Sequence, residues 1–334
     1  MVALNTTGYI MSTSFALQQY LPKASRLVYG CMGLGGGWNQ NPVSQEDIKQ
    51  ASEITQTALN AGITVFDHAD IYTFSKAEHV FGQVLKQTPS LRNQLYIQSK
   101  CGIRFEDEHN AGRYDFSAQW VRQSVEQSLQ RLHCEQLDVL LLHRPDPLMQ
   151  LNELAETINT LHQQGKIAHI GVSNMNTAQI AFLQSALSLP IVANQIEMSL
   201  AKTDWLDDSI GVNTPASAKV GFNTGLLEYC QMHDIQLQAW GCLAQGTFSE
   251  AGLNAEDPRI QKTAYYVKQL AAEYQVSGEA IVLAFLLRHP ANIQPVIGTT
   301  NTKRIDACAQ ATTVSLTREQ WYNLYVFSRG KALP

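Results

Sequence analysis

The alternation of strand-type and helix-type segments constrains this chain more than any other feature. Strand-like runs occupy Leu27–Gly30, Ile63–His68, Leu95–Lys100, Asp138–His143, His169–Ser173, Ile191–Glu197, Ile235–Ala239 and Ile293–Ile297. Helical periodicity fills Ser44–Asn60, Ser75–Gln87, Ser117–His133, Leu151–Gln164, Thr177–Ala186, Asn223–His233, Pro258–Tyr274, Gly278–Arg288, Thr302–Ala311 and Thr317–Ser328. Strands that alternate with helices pair in parallel, because the crossover helix carries the chain back to start the next strand in the same direction. "DVLLLH", Asp138–His143, is apolar without alternation, as a strand buried on both faces is. Eight units in 334 residues, with no Pro/Gly/Ser-rich linker between them, predict an α/β chain folded as one (β/α)8 TIM barrel. An open doubly wound sheet is the alternative. On the barrel reading, residues 1–25 are a loose N-terminal lead-in or a short hairpin, and residues 26–334 are a single barrel domain. Two extra helices, one before the last strand and one at the C-terminus, decorate it.

Composition narrows the class. Apolar residues make up 45% and charged residues 16%, which suits a chain with a large buried core. A net charge of −5 without a basic stripe argues against a nucleic-acid partner. No apolar run reaches membrane-span length, and the N-terminus lacks the pattern of a signal peptide. The six cysteines, Cys31, Cys101, Cys134, Cys230, Cys242 and Cys308, form no CxxC pair. They read as reduced thiols of a cytoplasmic protein, with no metal site. Oligomeric state is left open, a monomer included.

In a barrel of this kind the site lies at the C-terminal ends of the strands. Strand interiors are then expected to be apolar and strand ends chemical. Asp67, Lys100 and His143 stand at three such ends, and Tyr72 follows in the loop after the second strand. Taken singly, an Asp or Lys at a strand end is a cap or a surface ion pair. Together they form a proton-delivery set. An ammonium at Lys100 stabilises the phenolate of Tyr72, Asp67 holds the ammonium, and His143 orients a carbonyl oxygen. Carbonyl reduction also needs a hydride, which no side chain supplies, so the set implies a nicotinamide cofactor. His68 points either into the pocket or into the barrel wall. A metal-dependent barrel hydrolase using "DHAD" and His143 is a weaker reading, because Lys100 repels a cation and no His-x-His pair is present.

"FDHADIY", "SKCG", "LLLHRPDP", "GKIAHIGVSN" and "NQIE" resemble the aldo/keto reductase family, in order, from about Arg26 to the C-terminal helix. The pattern is similar to a bacterial branch of uncharacterised NADP-dependent oxidoreductases. The resemblance implies NADP(H) as cofactor and a catalytic tetrad of Asp67, Tyr72, Lys100 and His143. It implies that Ser173, Asn174 and Gln195 hold the nicotinamide carboxamide, with Trp240 under the ring and Asp67 nearby. Gly30, Cys31 and Met32 fall at the nicotinamide ribose. Gly241, Leu243 and Gln245 fall at the pyrophosphate, and Gly298, Thr299, Thr300 and Arg304 at the adenosine phosphate. The sequence departs from the commoner pattern at Gly298, where many members have lysine, and at Ala307 and Cys308, where many have Glu-Asn. The glycine-rich "RLVYGCMGLGGGW" therefore reads as the first strand and its mouth loop, not as a dinucleotide fingerprint. Trp38, His68, Trp205 and the irregular stretch 199–219 are expected to shape the pocket for a small carbonyl substrate. A cofactor-binding regulatory subunit with little turnover is the family's other implied possibility.

Overall fold

Successive side chains of a strand point to opposite faces, so a strand buried on both sides must place every second residue inside the barrel. The structure, a computed structural model, describes residues 14–215 and 220–334 and shows this division. Eight parallel strands form a closed barrel. They are β1 Val28–Gly30, β2 Val65–Asp67, β3 Tyr96–Cys101, β4 Leu137–Leu142, β5 Ile167–Ser173, β6 Ile191–Glu197, β7 Gln236–Trp240 and β8 Gln294–Ile297. β1 pairs with β8 through Val28 with Val296 and Tyr29 with Ile297, which rules out the open sheet. In "DVLLLH", Val139 and Leu141 face the barrel interior, while Leu140 and Leu142 pack outward against the helices.

The helices are α1 Gln45–Asn60, α2 Lys76–Gln87, α3 Ala118–Leu132, α4 Leu151–Gln163, α5 Thr177–Gln184, α6 Asp204–Ile210, α7 Leu226–Met232, α8 Pro258–Tyr274, α9 Gly278–Leu287, α10 Thr302–Ala309 and α11 Arg318–Arg329. Ser44 caps α1 in a capping box with Asp47, as its Ser-Gln-Glu-Asp start predicts. At the crossing of α2 and α3, a methyl group at Gly82 would run into the Arg131 carbonyl. The two extra helices are α8 and α11, which pack on each other through Tyr266 and Phe327 at 5.3 Å. Lys262 Nζ lies 4.0 Å over the Phe327 ring.

Three parts of the chain differ from expectation. The described part of the N-terminal segment, residues 14–25, is neither loose nor a hairpin. It forms a 3-10 turn, Ala16–Gln19, and buries Phe15, Leu17, Leu21 and Ala24 against Val28, Val65, Val139 and Val192. It closes the barrel floor; residues 1–13 lie outside the described residues. The stretch after β6 carries α6 where no element was expected, and residues 216–219 of it also lie outside. A two-stranded antiparallel hairpin, Ile103–Arg104 with Arg113–Tyr114, follows β3.

The plug makes a stability prediction. Leu17→Ala, at a fully buried position, is expected to destabilise the fold by about 2–5 kcal/mol. Gln19→Ala, on the exposed side of the same turn, is expected to change it by about 0.5 kcal/mol or less. Urea unfolding of the two variants checks the contrast.

Candidate active site

Parallel pairing brings the strand ends level. Gly30 pairs with Asp67 and Asp67 with Gln98, which sets Lys100 two residues farther along β3 on the same inward face. His143 follows β4 directly, and its backbone N–H donates to the Cys101 carbonyl at 2.9 Å. Tyr72 lies in the loop between β2 and α2. Here Thr73, Phe74 and Ser75 have φ of 48°, 57° and 68° in succession. Left-handed backbone costs about 1–2 kcal/mol at each such residue. Two side chains hold this turn: Thr73 Oγ1 donates to the Leu34 carbonyl at 2.9 Å, and Ser75 Oγ donates to the Asp70 carbonyl at 2.6 Å.

Lys100 Nζ has three protons and donates to three acceptors. They are Asp67 Oδ2 at 2.7 Å, Tyr72 Oη at 2.8 Å and the His68 carbonyl at 2.9 Å. Because Tyr72 Oη accepts from the ammonium, its own O–H proton is left to point elsewhere, and Tyr72 lines the cavity. Burial pulls the Lys100 pKa down, but the Asp67 carboxylate and Tyr72 outweigh it and hold it above the usual lysine value. Burial raises the Tyr72 pKa, and the Lys100 charge only partly opposes that. The phenol is therefore protonated at neutral pH: the Lys100 ammonium stabilises the phenolate, as expected, but by less than burial opposes it. Burial, with the charges of Lys100 and Arg144, pushes the His143 imidazole down to about 2, so it is neutral. The Tyr72 and His143 rings meet edge to face, with centroids 6.1 Å apart.

A cavity of about 740 Å³ opens over this group. Its wall runs from Gly30, Met32, Trp38, Asp67, Tyr72 and His143, past Ser173, Asn174, Gln195 and Trp240, to Gly241, Leu243 and Gln245. It continues to Gly298, Thr299, Thr300 and Arg304. Asn174 Nδ2 donates to Ser173 Oγ at 2.7 Å, and Trp240 Nε1 donates to Asn174 Oδ1 at 3.3 Å, which ties these three together. Positive φ at Gly241, Ala244, Gln245 and Gly246 bends the loop after β7 along the cavity wall. Arg304 is exposed at the far end, 3.9 Å from Glu279.

Some expected residues lie elsewhere. His68 is fully buried in the barrel wall with its ring 4.6 Å from Phe81, because one step beyond Asp67 reverses the facing. Trp205, on α6, is buried against Phe285 and His289 rather than in the pocket. The Cys31 side chain is also buried, and only its neighbours Gly30 and Met32 line the cavity. Lys100 sits beneath the cavity, behind Tyr72. Ala307 and Cys308 do not line it, and Cys308 is fully buried.

Other residues were missed. Arg144, next to His143, lines the cavity with its guanidinium 6.0 Å from the Trp240 ring centroid. Its place directly after a strand end was the available signal. Ile71, Ser249 and Glu279 also line the wall. The largest surprise is inside the barrel, where an apolar interior was expected. Gln98, Gln195, Gln238 and Gln294 are buried there around Asp67. The alternation of Gln236 and Gln238 with apolar residues in "IQLQAW" carried the signal.

This barrel and this set of strand-end side chains define a class, and the comparisons give it a family. The chain belongs to the aldo/keto reductase family, whose model matches residues 26–325. It is 35% identical over 311 residues to a 6-dehydroglucose reductase of Agrobacterium fabrum, covering 92% of this chain and 95% of that one. It is 35% identical over 315 residues to the oxidoreductase YdhF of Escherichia coli, covering 94% and 96%. Among solved structures, an aldo-keto reductase of Klebsiella pneumoniae in complex with NADPH superposes with a TM-score of 0.67 at 23% identity, covering 90% of each chain.

Asp70, in the same loop as Tyr72, is buried with Oδ1 lacking a partner among the described residues. Burial and the nearby Glu78 carboxylate push its pKa up to about 8, against opposition from Arg131 and Ser124. An ordinary unfolded carboxyl titrates near 4. The folded state thus favours the protonated acid, and that contribution is lost as pH rises from about 4 through about 8. Asp70→Asn removes the penalty. The variant is expected to match wild type in stability near pH 3.5 and to exceed it by about 1 kcal/mol or more at pH 8. Denaturant titrations at the two pH values check the sign.

Proposed function

We propose that this chain is an NADPH-dependent reductase of aldehyde or ketone carbonyls. The observation that carries the reading is the Tyr72 hydroxyl, fixed by Lys100 Nζ at 2.8 Å on the wall of a cavity that continues to Arg304. The donor set fits a dinucleotide. The amides of Asn174 and Gln195 suit a carboxamide, the flat face of Trp240 suits the nicotinamide ring, and the hydroxyls of Thr299 and Thr300 with the Arg304 guanidinium suit the adenosine phosphate. When bound, the nicotinamide cofactor supplies the hydride that no side chain can deliver.

The residues do the rest. Tyr72 Oη gives its proton to the carbonyl oxygen as charge builds there. The neighbouring ammonium of Lys100 stabilises the phenolate left behind. Asp67 keeps the ammonium charged and in place. Neutral His143 can donate one ring N–H to the carbonyl oxygen and so orient it. The hydrolase reading loses its second imidazole, because His68 faces Phe81 in the wall. A reducing cytoplasm suits the six cysteines, all unpaired. Among the described residues no single helix is long and apolar enough to cross a membrane.

Tyr72→Phe is expected to keep NADPH binding, read by fluorescence, and to lose turnover of simple aldehydes by about 100-fold or more. Unchanged turnover would defeat the proton-donor role, and tight NADPH binding without turnover in wild type would favour a regulatory subunit. In the reduction direction, wild-type kcat is expected to stay level from pH 5 to pH 8. Burial holds the Tyr72 phenol above the ordinary tyrosine value and pushes the His143 imidazole down to about 2, so neither titrates in this window. Arg304→Ala is expected to weaken NADPH by about tenfold while leaving NADH nearly unchanged. Titrating both cofactors measures it.

A further inference from the structure

Four glutamines fill the barrel interior beneath the Asp67–Lys100 pair. Gln98 on β3, Gln238 on β7 and Gln294 on β8 have no exposed surface, and Gln195 on β6 has almost none. They form one connected chain. Gln294 Nε2 donates to the Ser25 carbonyl at 2.7 Å. Gln238 Nε2 donates to Gln294 Oε1 at 3.0 Å and to Gln98 Oε1 at 3.2 Å. Gln238 Oε1 accepts from Gln98 Nε2 at 2.9 Å and from Gln195 Nε2 at 3.1 Å. Gln98 Nε2 and Gln195 Nε2 then both donate to Asp67 Oδ1, at 2.5 and 3.2 Å.

The two ends dictate every orientation between them. A backbone carbonyl can only accept, so Gln294 must turn its nitrogen to Ser25 and its oxygen to Gln238. Turning Gln238 over would set oxygen against oxygen at Gln294. At the other end both neighbours of Asp67 Oδ1 present N–H groups, which bond an ionised carboxylate more strongly than the carbonyl oxygen of a neutral acid. The chain thus supplies two donors to Oδ1 and leaves Oδ2 for Lys100. A space-filling role alone would be served by Leu or Met, without the desolvation cost of buried amides.

We propose that Gln98, backed by Gln238 and Gln294, is a positioning residue that holds Asp67 as the carboxylate anchoring Lys100, and so sets the charge around Tyr72. This rests on Tyr72 being the proton donor. The ionisable groups that face Asp67 are Lys100 on β3, Tyr72 in the loop after β2 and the buried Cys31 thiol after β1. Arg144 and His143 act on the same mouth from the end of β4.

The test compares Gln98→Met and Gln98→Glu with wild type, using NADPH and a simple aldehyde. Gln98→Met keeps the volume and removes both N–H groups. It is expected to lower kcat by about 10- to 100-fold, with KM for the aldehyde and Kd for NADPH within about twofold. Gln98→Glu is nearly isosteric and titrates. While its introduced carboxyl is protonated it can donate to Asp67, and once ionised it repels Asp67. Its kcat is therefore expected to fall as pH rises between 5 and 8, where wild type is level. A filler role predicts instead that Gln98→Glu, the closer isostere, is the better variant at every pH, with all profiles parallel. That outcome, or wild-type kcat in Gln98→Met, overturns the proposal. Should Gln98→Met not fold, Gln294→Met cuts the same chain at its far end and is expected to lower kcat in the same manner without moving KM. A second measurement needs no turnover. The alkaline ultraviolet titration of Tyr72, taken as the difference between each protein and its Tyr72→Phe counterpart, is expected to move to higher pH in Gln98→Met. An inactive wild type would defeat the reductase reading, whereas an unmoved Tyr72 titration would defeat this one.

Discussion

The buried ion pair of Lys100 and Asp67 is the interaction on which the rest of the site depends. Both side chains are almost without exposed surface, and they meet at 2.7 Å. Taking two charges out of water costs several kcal/mol per ion unless every remaining donor and acceptor is matched. Here they are matched. The ammonium spends its three protons on Asp67, Tyr72 and the His68 carbonyl. The carboxylate spends one oxygen on Lys100 and offers the other to two glutamine amides. The position of Tyr72 follows from this accounting, since its hydroxyl is the third acceptor that the ammonium requires.

The same requirement explains the strained loop after β2. Tyr72 meets Lys100 just before the chain turns into α2, and three consecutive left-handed residues make that turn. None of them is glycine, so the conformation must be imposed by its surroundings. Thr73 is pinned to Leu34 in the loop after β1, and Ser75 to Asp70 within the turn. Glu78, at the start of α2, is buried and holds both Ser99 on β3 and Arg131 on α3. The loop is thus fastened at both ends to the elements that carry the ion pair.

Much of this was legible in the sequence, and the reason is geometric. In a parallel barrel all strands end at one mouth, so Asp67, Lys100 and His143 could be brought together from their positions alone. Regular strand–helix alternation was enough to name the barrel. What stayed hidden lay where one residue reverses a direction or where a general rule fails. His68 is one step from Asp67 and faces the opposite way. Trp205 lies in a stretch without clear periodicity, and α6 turns it into the core against Phe285. The plug formed by residues 15–24 escaped because a floor for the barrel leaves no periodic trace. The interior glutamines escaped because a strand core is expected to be apolar.

Those last two features belong together. A barrel of eight short strands has a bottom as well as a mouth, and water reaching the interior from below would undermine the ion pair above. Phe15, Leu17 and Leu21 shut the bottom with apolar surface. Ser25, just above them, offers the carbonyl on which the glutamine chain ends. An amide chain that ended in bulk water could reverse its polarity at little cost, because water donates and accepts equally. Ending on a fixed carbonyl, it has one sense only, and that sense delivers N–H groups to Asp67. The floor segment therefore does more than fill space. It gives the interior of the barrel a direction, and the carboxylate at the top is the group that direction favours.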